Sequence, residues 1–228
     1  MHFTTNKLIW FEYFFVVFYF SCNDDTGLKK CASLVDKGSI VVFPTDTVYG
    51  IGCDPFNDDS VLRLYRIKNR PLDKYMPILT TGVEGASALV EITKEAAALI
   101  KQFWPGQLTL ILKTKKNSLI PKYTFGKTVA IRIPNNQCTI KLIHMTRNKL
   151  LVGTSANLSS HHPFVDVQEL EASNLHGYDA VVDGGVLNNS LNAVSTIADL
   201  VEVGNPKIIR EGMISREGIF AVLKGLQK

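Results

Sequence analysis

The chain has 228 residues, 46% of them hydrophobic and 20% charged, with a formal net charge of +4. That length holds one full-sized domain or two small ones with a complete core, and the composition excludes a disordered or fibrous chain. The mild basicity suits anionic ligands such as nucleotides or RNA without demonstrating either.

The first 23 residues stand apart, because "LIWFEYFFVVFYFSC" concentrates aromatics far more densely than the rest. The uncharged run after Glu12 is about half of the roughly 20 residues that span a bilayer. Lys7 before an apolar stretch imitates a signal peptide, but no small-x-small cleavage site follows. An anchor, a signal and a start placed too far upstream all stay open, and the reading favours a dispensable extension ahead of a domain at residues 24–228.

From Asp24 onward the pattern is α/β. "DDTGLKKCASLVDKG" sets Leu28, Cys31, Ala32, Leu34 and Val35 on one helical face, with Gly38 as a stop. "SIVVF" is a β-branched strand ended by Pro44. It leads into "PTDTVYGIG", a loop of hydroxyls, one aspartate and glycines, where sites are often built. "NDDSVLRLYRIKN" opens on capping residues and predicts a helix, as does "TKEAAALIKQFW". Strands are expected at "LTLILK", "TVAIRIP", "LLVGTS", "DAVVD", "STIADL" and "PKIIR", with helices near 138–146 and 165–175. The irregular alternation favours a twisted mixed sheet with flanking helices over a doubly wound parallel one.

Familiar catalytic signatures are missing. There is no GxxxxGK[ST] loop, Gly50 and Gly52 lack the third dinucleotide-fold glycine, and Ser155 sits in "GTSAN" rather than GxSxG. The histidines show no metal-ligand spacing, and His161-His162 reads as a solvated pair. Cys22, Cys31, Cys53 and Cys138 are scattered, so reduced buried thiols are expected rather than a disulfide framework or a zinc knuckle. Covalent and metal-hydrolase chemistry are therefore disfavoured.

What remains is a set of polar clusters at strand ends. Lys68 and Arg70 would project to the same side in extended backbone and suit a polyphosphate, although an isolated KxR is more often a solvated turn. Arg132 shares a strand face with Ala130, where its fork could hold a carboxylate or an acidic side chain; the two readings stand level. Ser155 and Asn157 offer a phosphate nest or an ordinary Asx turn. Ser195 opens one strand and Arg210 ends another, and both have equally ordinary readings as edge residues.

Taken in order, "FPTDTVYGIGCD", "LYRIKNRPLDK", "WPGQLTLIL", "VAIRIP", "TSANLS", "VDGG", "VSTIADL" and "IIREG" resemble the YrdC/Sua5 family from about Gly27 to the C-terminus. The resemblance implies a single α/β domain around a large basic cavity. It implies synthesis of L-threonylcarbamoyladenylate and pyrophosphate from L-threonine, bicarbonate and ATP, with Mg2+ carried mainly by phosphate oxygens and water and no protein ligand named for it. A threonylcarbamoyl-transferase complex would then modify the adenosine at position 37 of tRNAs that read codons beginning with A. By motif, Thr45, Arg132 and Ser195 fall to the amino acid, and Lys68, Arg70, Thr128, Ser155, Asn157 and Arg210 to ATP. No side-chain nucleophile is implied. The short YrdC type and a cytoplasmic location fit best.

Three positions depart from the family pattern: Gln107 and Thr154 stand where proline is usual, and Ala198 where valine is. The competing reading from another class is a module that binds double-stranded RNA weakly without chemistry. It lacks the interleaved aromatic and basic residues of dedicated RNA binders. A hydrogenase-maturation carbamoyl-transfer domain is set aside because the zinc-finger cysteines and extra segments are missing.

Overall fold

The computed structural model describes residues 16–116, 127–159, 161–187 and 193–227. The strands are β1 (Phe18–Ser21), β2 (Val41–Phe43), β3 (Gly50–Gly52), β4 (Ile78–Thr80), β5 (Leu108–Lys113), β6 (Thr128–Arg132), β7 (Leu150–Val152), β8 (Thr154–Ser155), β9 (Ala180–Asp183), β10 (Thr196–Asp199) and β11 (Lys207–Arg210). The α-helices are α1 (Asp25–Asp36), α2 (Asp58–Ile67), α3 (Val83–Leu89), α4 (Lys94–Phe103), α5 (Gln137–Met145), α6 (Val167–Glu171) and α7 (Arg216–Lys224).

Two mixed sheets result, one in the order β1-β9-β2-β3-β8 and the other β11-β10-β5-β6-β4-β7. Both contain parallel and antiparallel pairs, as the irregular alternation predicts. The period-2 pattern of β5 explains its placement. Leu108, Leu110 and Leu112 are buried in the core, which leaves Thr109 and Ile111 on the opposite face. β2 alternates likewise: Val42 joins the core of α2, α4 and the six-stranded sheet, while Val41 and Phe43 join the cluster under α1 and α5. Each fully buried side chain of this size contributes roughly 1.5–3 kcal/mol. Side-chain caps start every described α-helix except α3, with Asp24 accepting from the Thr26 N–H and Asn57 from the Ser60 N–H.

Several expectations change. "LLVGTS" is two strands, because the chain crosses at Gly153 from the six-stranded sheet to the five-stranded one. The helix expected at 165–175 shortens to Val167–Glu171. β3 consists of Gly-Ile-Gly and looks like loop in sequence, yet no side chain could replace Gly52. A Cβ there would lie 1.7 Å from the Val152 carbonyl oxygen, where the two sheets meet.

The boundary at residue 24 also moves. β1 pairs in parallel with β9 from Phe18 to Ser21, so part of the aromatic extension belongs to the sheet. Aromatic residues suit a pleated edge, and that propensity outweighs their resemblance to an anchor. The remainder of the aromatic run lies outside the described residues. Cys22, just after β1, is disulfide-bonded to Cys138, against the expectation of reduced thiols; Cys31 and Cys53 are free and buried. Among the described residues no helix is long and apolar enough to cross a membrane.

Candidate active site

A cavity of about 390 Å³ opens between the two sheets. Thr45, Arg70, Thr128, Arg132, Ser155, Ser195 and Arg210 all line it. Lys68 and Asn157 line a smaller adjoining space of about 190 Å³, which shares Arg70 and Ser155 with the first. Motifs scattered from residue 45 to residue 210 therefore meet in one place.

The wall from the five-stranded side is neutral and internally bonded. The Thr45 hydroxyl donates to the Val48 carbonyl at 2.6 Å and accepts the N–H groups of Thr47 at 3.0 Å and Val48 at 3.2 Å. Its oxygen thus staples the loop that follows β2. Tyr49 anchors the far end, donating to the Gly185 carbonyl at 2.7 Å and accepting the Gly184 N–H at 3.0 Å. Burial pushes the Tyr49 phenol up to about 12, so it stays a neutral donor.

The opposite wall carries guanidinium groups. In β6, Val129 and Ile131 enter the core while Thr128, Ala130 and Arg132 face the cavity, as alternation requires. Arg132 is not a free fork. Its Nε donates to the Gly106 carbonyl at 2.8 Å and its Nη2 to Asp46 Oδ1 at 2.6 Å, with both side chains about nine-tenths buried. The ion-pair reading of Arg132 is therefore realised in this structure. The second Asp46 oxygen is buried without a hydrogen-bond partner.

Arg210 donates from Nε and Nη2 to the Ser195 carbonyl and from Nη2 to the Ser195 hydroxyl. That hydroxyl also bonds Thr109 at 3.1 Å. Arg70 is held by the carbonyls of Lys74 and Tyr75. Burial is the first cause that lowers all three guanidinium pKa values, and Arg132 and Arg70 lower that of Arg210 further. Arg210 thus feels the other two cations, a repulsion that a bound anion would relieve. The surface is nonetheless not uniformly basic: Ile111, Ala130 and Ile197 form an apolar strip, and Asp46 offsets Arg132.

Lys68 and Arg70 do not lie on one extended segment. Lys68 closes α2 in helical geometry, and Asn69 takes φ 48°, a left-handed conformation that asparagine tolerates. Lys68 turns under the "TSAN" loop, where its Nζ donates to the carbonyls of Ser155 and Asn157. With its residue only 2% exposed, burial first and Arg70 second pull its pKa down to about 7. The Asn157 amide donates to the Leu158 and His161 carbonyls, and its Oδ1 is buried without a partner.

Sequence reasoning passed over Asp46, Thr47 and Thr109. Asp46 lay within the quoted loop, and the β5 alternation already set Thr109 opposite the leucine face. Among the described residues there is no group of three or more His, Cys, Asp or Glu able to hold a metal.

A cavity lined by cations and hydroxyls between two mixed sheets defines an α/β protein with a polar site suited to an anionic ligand. The chain belongs to the Sua5/YciO/YrdC family, described as telomere recombination, whose pattern matches residues 33–212. It is 36% identical to a threonylcarbamoyl-AMP synthase of Bacillus subtilis, over 88% of this chain and 57% of that protein. It is 30% identical to the Pseudoalteromonas translucida threonylcarbamoyl-AMP synthase, over 82% of this chain and 99% of that one. The crystal structure of P. abyssi Sua5 complexed with L-threonine superposes with a TM-score of 0.81 at 29% identity, covering 91% of this chain and 61% of that one. The chain thus spans little more than half the length of the Bacillus and Pyrococcus proteins.

Proposed function

We propose that the cavity converts L-threonine, bicarbonate and ATP into threonylcarbamoyl-AMP and pyrophosphate. The observation that carries this reading is the convergence of Arg70, Arg132 and Arg210 with Ser195, Thr128 and Ser155 on one cavity. Relatives named for this activity, and a similar fold solved with L-threonine, support it.

The threonine amine adds to carbon dioxide derived from bicarbonate and gives up a proton. The resulting carbamate oxygen attacks the α-phosphorus, and the bond to pyrophosphate breaks. The protein's share is placement and charge stabilisation, which together account for several kcal/mol of barrier. Threonine lies at the end formed by Thr45, Arg132 and Ser195. Because Asp46 and Gly106 fix the plane of Arg132, only the remaining N–H groups of that guanidinium reach a carboxylate. Arg70, Arg210, Thr128 and the Lys68–Ser155–Asn157 corner take the triphosphate.

The donor set fits Mg2+ only as a passenger on ATP. The walls offer hydroxyls and cations, and Asp46 is ion-paired with Arg132 through Oδ1, which leaves one buried carboxylate oxygen and no cluster of acidic groups among the described residues. When bound, the ion would neutralise charge on the phosphates, held by their oxygens and by water. The product would pass to a tRNA threonylcarbamoyl-transferase complex, in the cytoplasm.

Pyrophosphate release from the purified chain tests the proposal. It should require threonine, bicarbonate and ATP together and should fall when threonine is replaced by other amino acids. Salt-dependent binding of double-stranded RNA with no pyrophosphate release would favour the non-enzymatic alternative.

A further inference from the structure

Cys22 and Cys138 are joined across 116 residues of sequence, and both line an open cleft of about 320 Å³ on the outer side of the threonine loop. Pro44, the first residue of that loop, lines the same cleft. Cys22 is half-buried, whereas Cys138 is buried in the first turn of the nine-residue helix α5. Lys141, one turn further on, also lines the cleft.

Both cysteines bear on the loop. A Cβ added to Gly184 would lie 2.8 Å from Pro44 Cβ and 3.3 Å from Cys22 Sγ, so the backbone there fills the gap between disulfide and loop. On the other side Thr139, next to Cys138, donates its hydroxyl to the Pro44 carbonyl. Pro44 is thus held by α5 next to Cys138 and packed by the Gly184 backbone, which in turn lies against Cys22. Thr45 follows it directly on the cavity wall.

We propose that Cys22–Cys138 is an exchange site for a low-molecular-weight thiol of the glutathione class, and that its state sets the order of the Pro44–Tyr49 loop. An incoming thiolate attacks the more accessible Cys22 sulfur. A new S–S bond forms there as the Cys22–Cys138 bond breaks, and the electron pair stays on Cys138. That sulfur is the better leaving group, because it lies in the first turn of α5, where the helix N-terminus stabilises a thiolate, whereas Lys141 is ion-paired with Asp25. A second thiolate then attacks the mixed disulfide, leaving the Cys22 thiolate and one small-molecule disulfide. The protein disulfide is reduced and two small thiols are oxidised. Where disulfides occur in reducing compartments they are usually transient or redox-sensing.

Cys31 and Cys53 act as internal controls. Burial pushes the Cys31 thiol up to about 12 and the Cys53 thiol higher still, which keeps both unreactive. The site itself is independent of the proposed activity; only its effect on threonine rests on that reading.

The test treats the air-oxidised full chain with a limiting amount of reduced glutathione, which traps the mixed disulfide before a second thiolate resolves it, then alkylates under native conditions and maps adducts by peptide mass spectrometry. The expected result is glutathione on Cys22, alkylation on Cys138, and no label on Cys31 or Cys53. The amides of Thr47 and Val48, both bonded to the Thr45 hydroxyl, should exchange hydrogen about tenfold faster, since they report local opening. In the pyrophosphate assay the threonine requirement should rise while that for ATP hardly moves. The Cys138→Ser variant, given oxidised glutathione, should reproduce the adduct and the faster exchange. Four alkylatable thiols before treatment, adduct on Cys138 instead of Cys22, or unchanged loop exchange would each overturn the proposal. A chain that shows the expected adduct and exchange but releases no pyrophosphate in any state would support the exchange site and sink the activity alone.

Discussion

The two walls of the cavity are built by opposite means. The loop after β2 presents hydroxyls whose hydrogen bonds are already spent within the loop, so Thr45 shapes the surface more than it charges it. The strand wall, together with Arg70 from the segment between α2 and β4, presents guanidinium groups, each with one edge pinned to a backbone carbonyl and other N–H groups left over. Pinning removes rotamer freedom before a ligand arrives, which is where positive charge is most expensive to order. A wall of shape therefore faces a wall of charge, and the two touch at Asp46. Its side chain takes Arg132 from the strand wall while its backbone belongs to the loop.

The sharpest way to break this arrangement is at that contact. Arg132→Ala leaves the Asp46 carboxylate buried and unpaired, a loss of about 3–5 kcal/mol in unfolding free energy. The double variant Arg132→Gln with Asp46→Asn should recover most of that stability, because neither buried group is then charged. Pyrophosphate release should stay low in both. Urea denaturation alongside the release assay separates the two effects. If the double variant regains activity with stability, Arg132 serves only the fold and the charged wall loses a member.

Lys68 tests the comparison from beneath the neutral wall. Its folded-state pKa of about 7 lies well below the ordinary lysine value of 10.5. Between those values the unfolded chain binds the extra proton, so this residue makes stability rise with pH. From pH 7 to 8.5 the gain should be about 1.5 kcal/mol, and Lys68→Met should flatten it. A neutral amine still has two N–H groups, enough for both the Ser155 and Asn157 carbonyls, so the clamp survives deprotonation. Urea midpoints at the two pH values give the answer. A slope that persists in Lys68→Met would assign it to another group and leave Lys68 charged.

Much of the strand wall was legible because period-2 alternation is local. "TVAIR" placed Arg132 opposite Val129 and Ile131, and "LTLILK" held the same information for Thr109. Pairings across long separations were not legible. Nothing near Arg132 marks Asp46, 86 residues earlier, as its partner. Cys22 and Cys138 carry no short-range spacing that would join them. The Lys68–Arg70 geometry failed for a local reason: one left-handed residue, Asn69, sends two neighbouring cations to different tasks. β3 escaped notice because its glycines answer to the close approach of Val152, not to strand propensity.

The smallest expected effect belongs to Gln107, which stands where the motif that the sequence resembles would have proline. Its Nε2 donates to the Asp46 carbonyl at 2.8 Å, a second link from the strand wall to the loop wall, just ahead of β5. A proline has no side-chain donor, so the bond is particular to glutamine here. Gln107→Ala should lower stability by only about 0.5–1.5 kcal/mol, the net worth of one hydrogen bond. Its diagnostic effect is kinetic: the threonine requirement should rise, with the ATP requirement unchanged, because Asp46 is flanked by Thr45 and Thr47 on the side proposed for the amino acid. Gln107→Pro restores the motif and stiffens the approach to β5, yet deletes the same bond. If both variants raise the threonine requirement alike, the hydrogen bond holds the loop; if only the alanine variant does, backbone stiffness before β5 is what the position supplies.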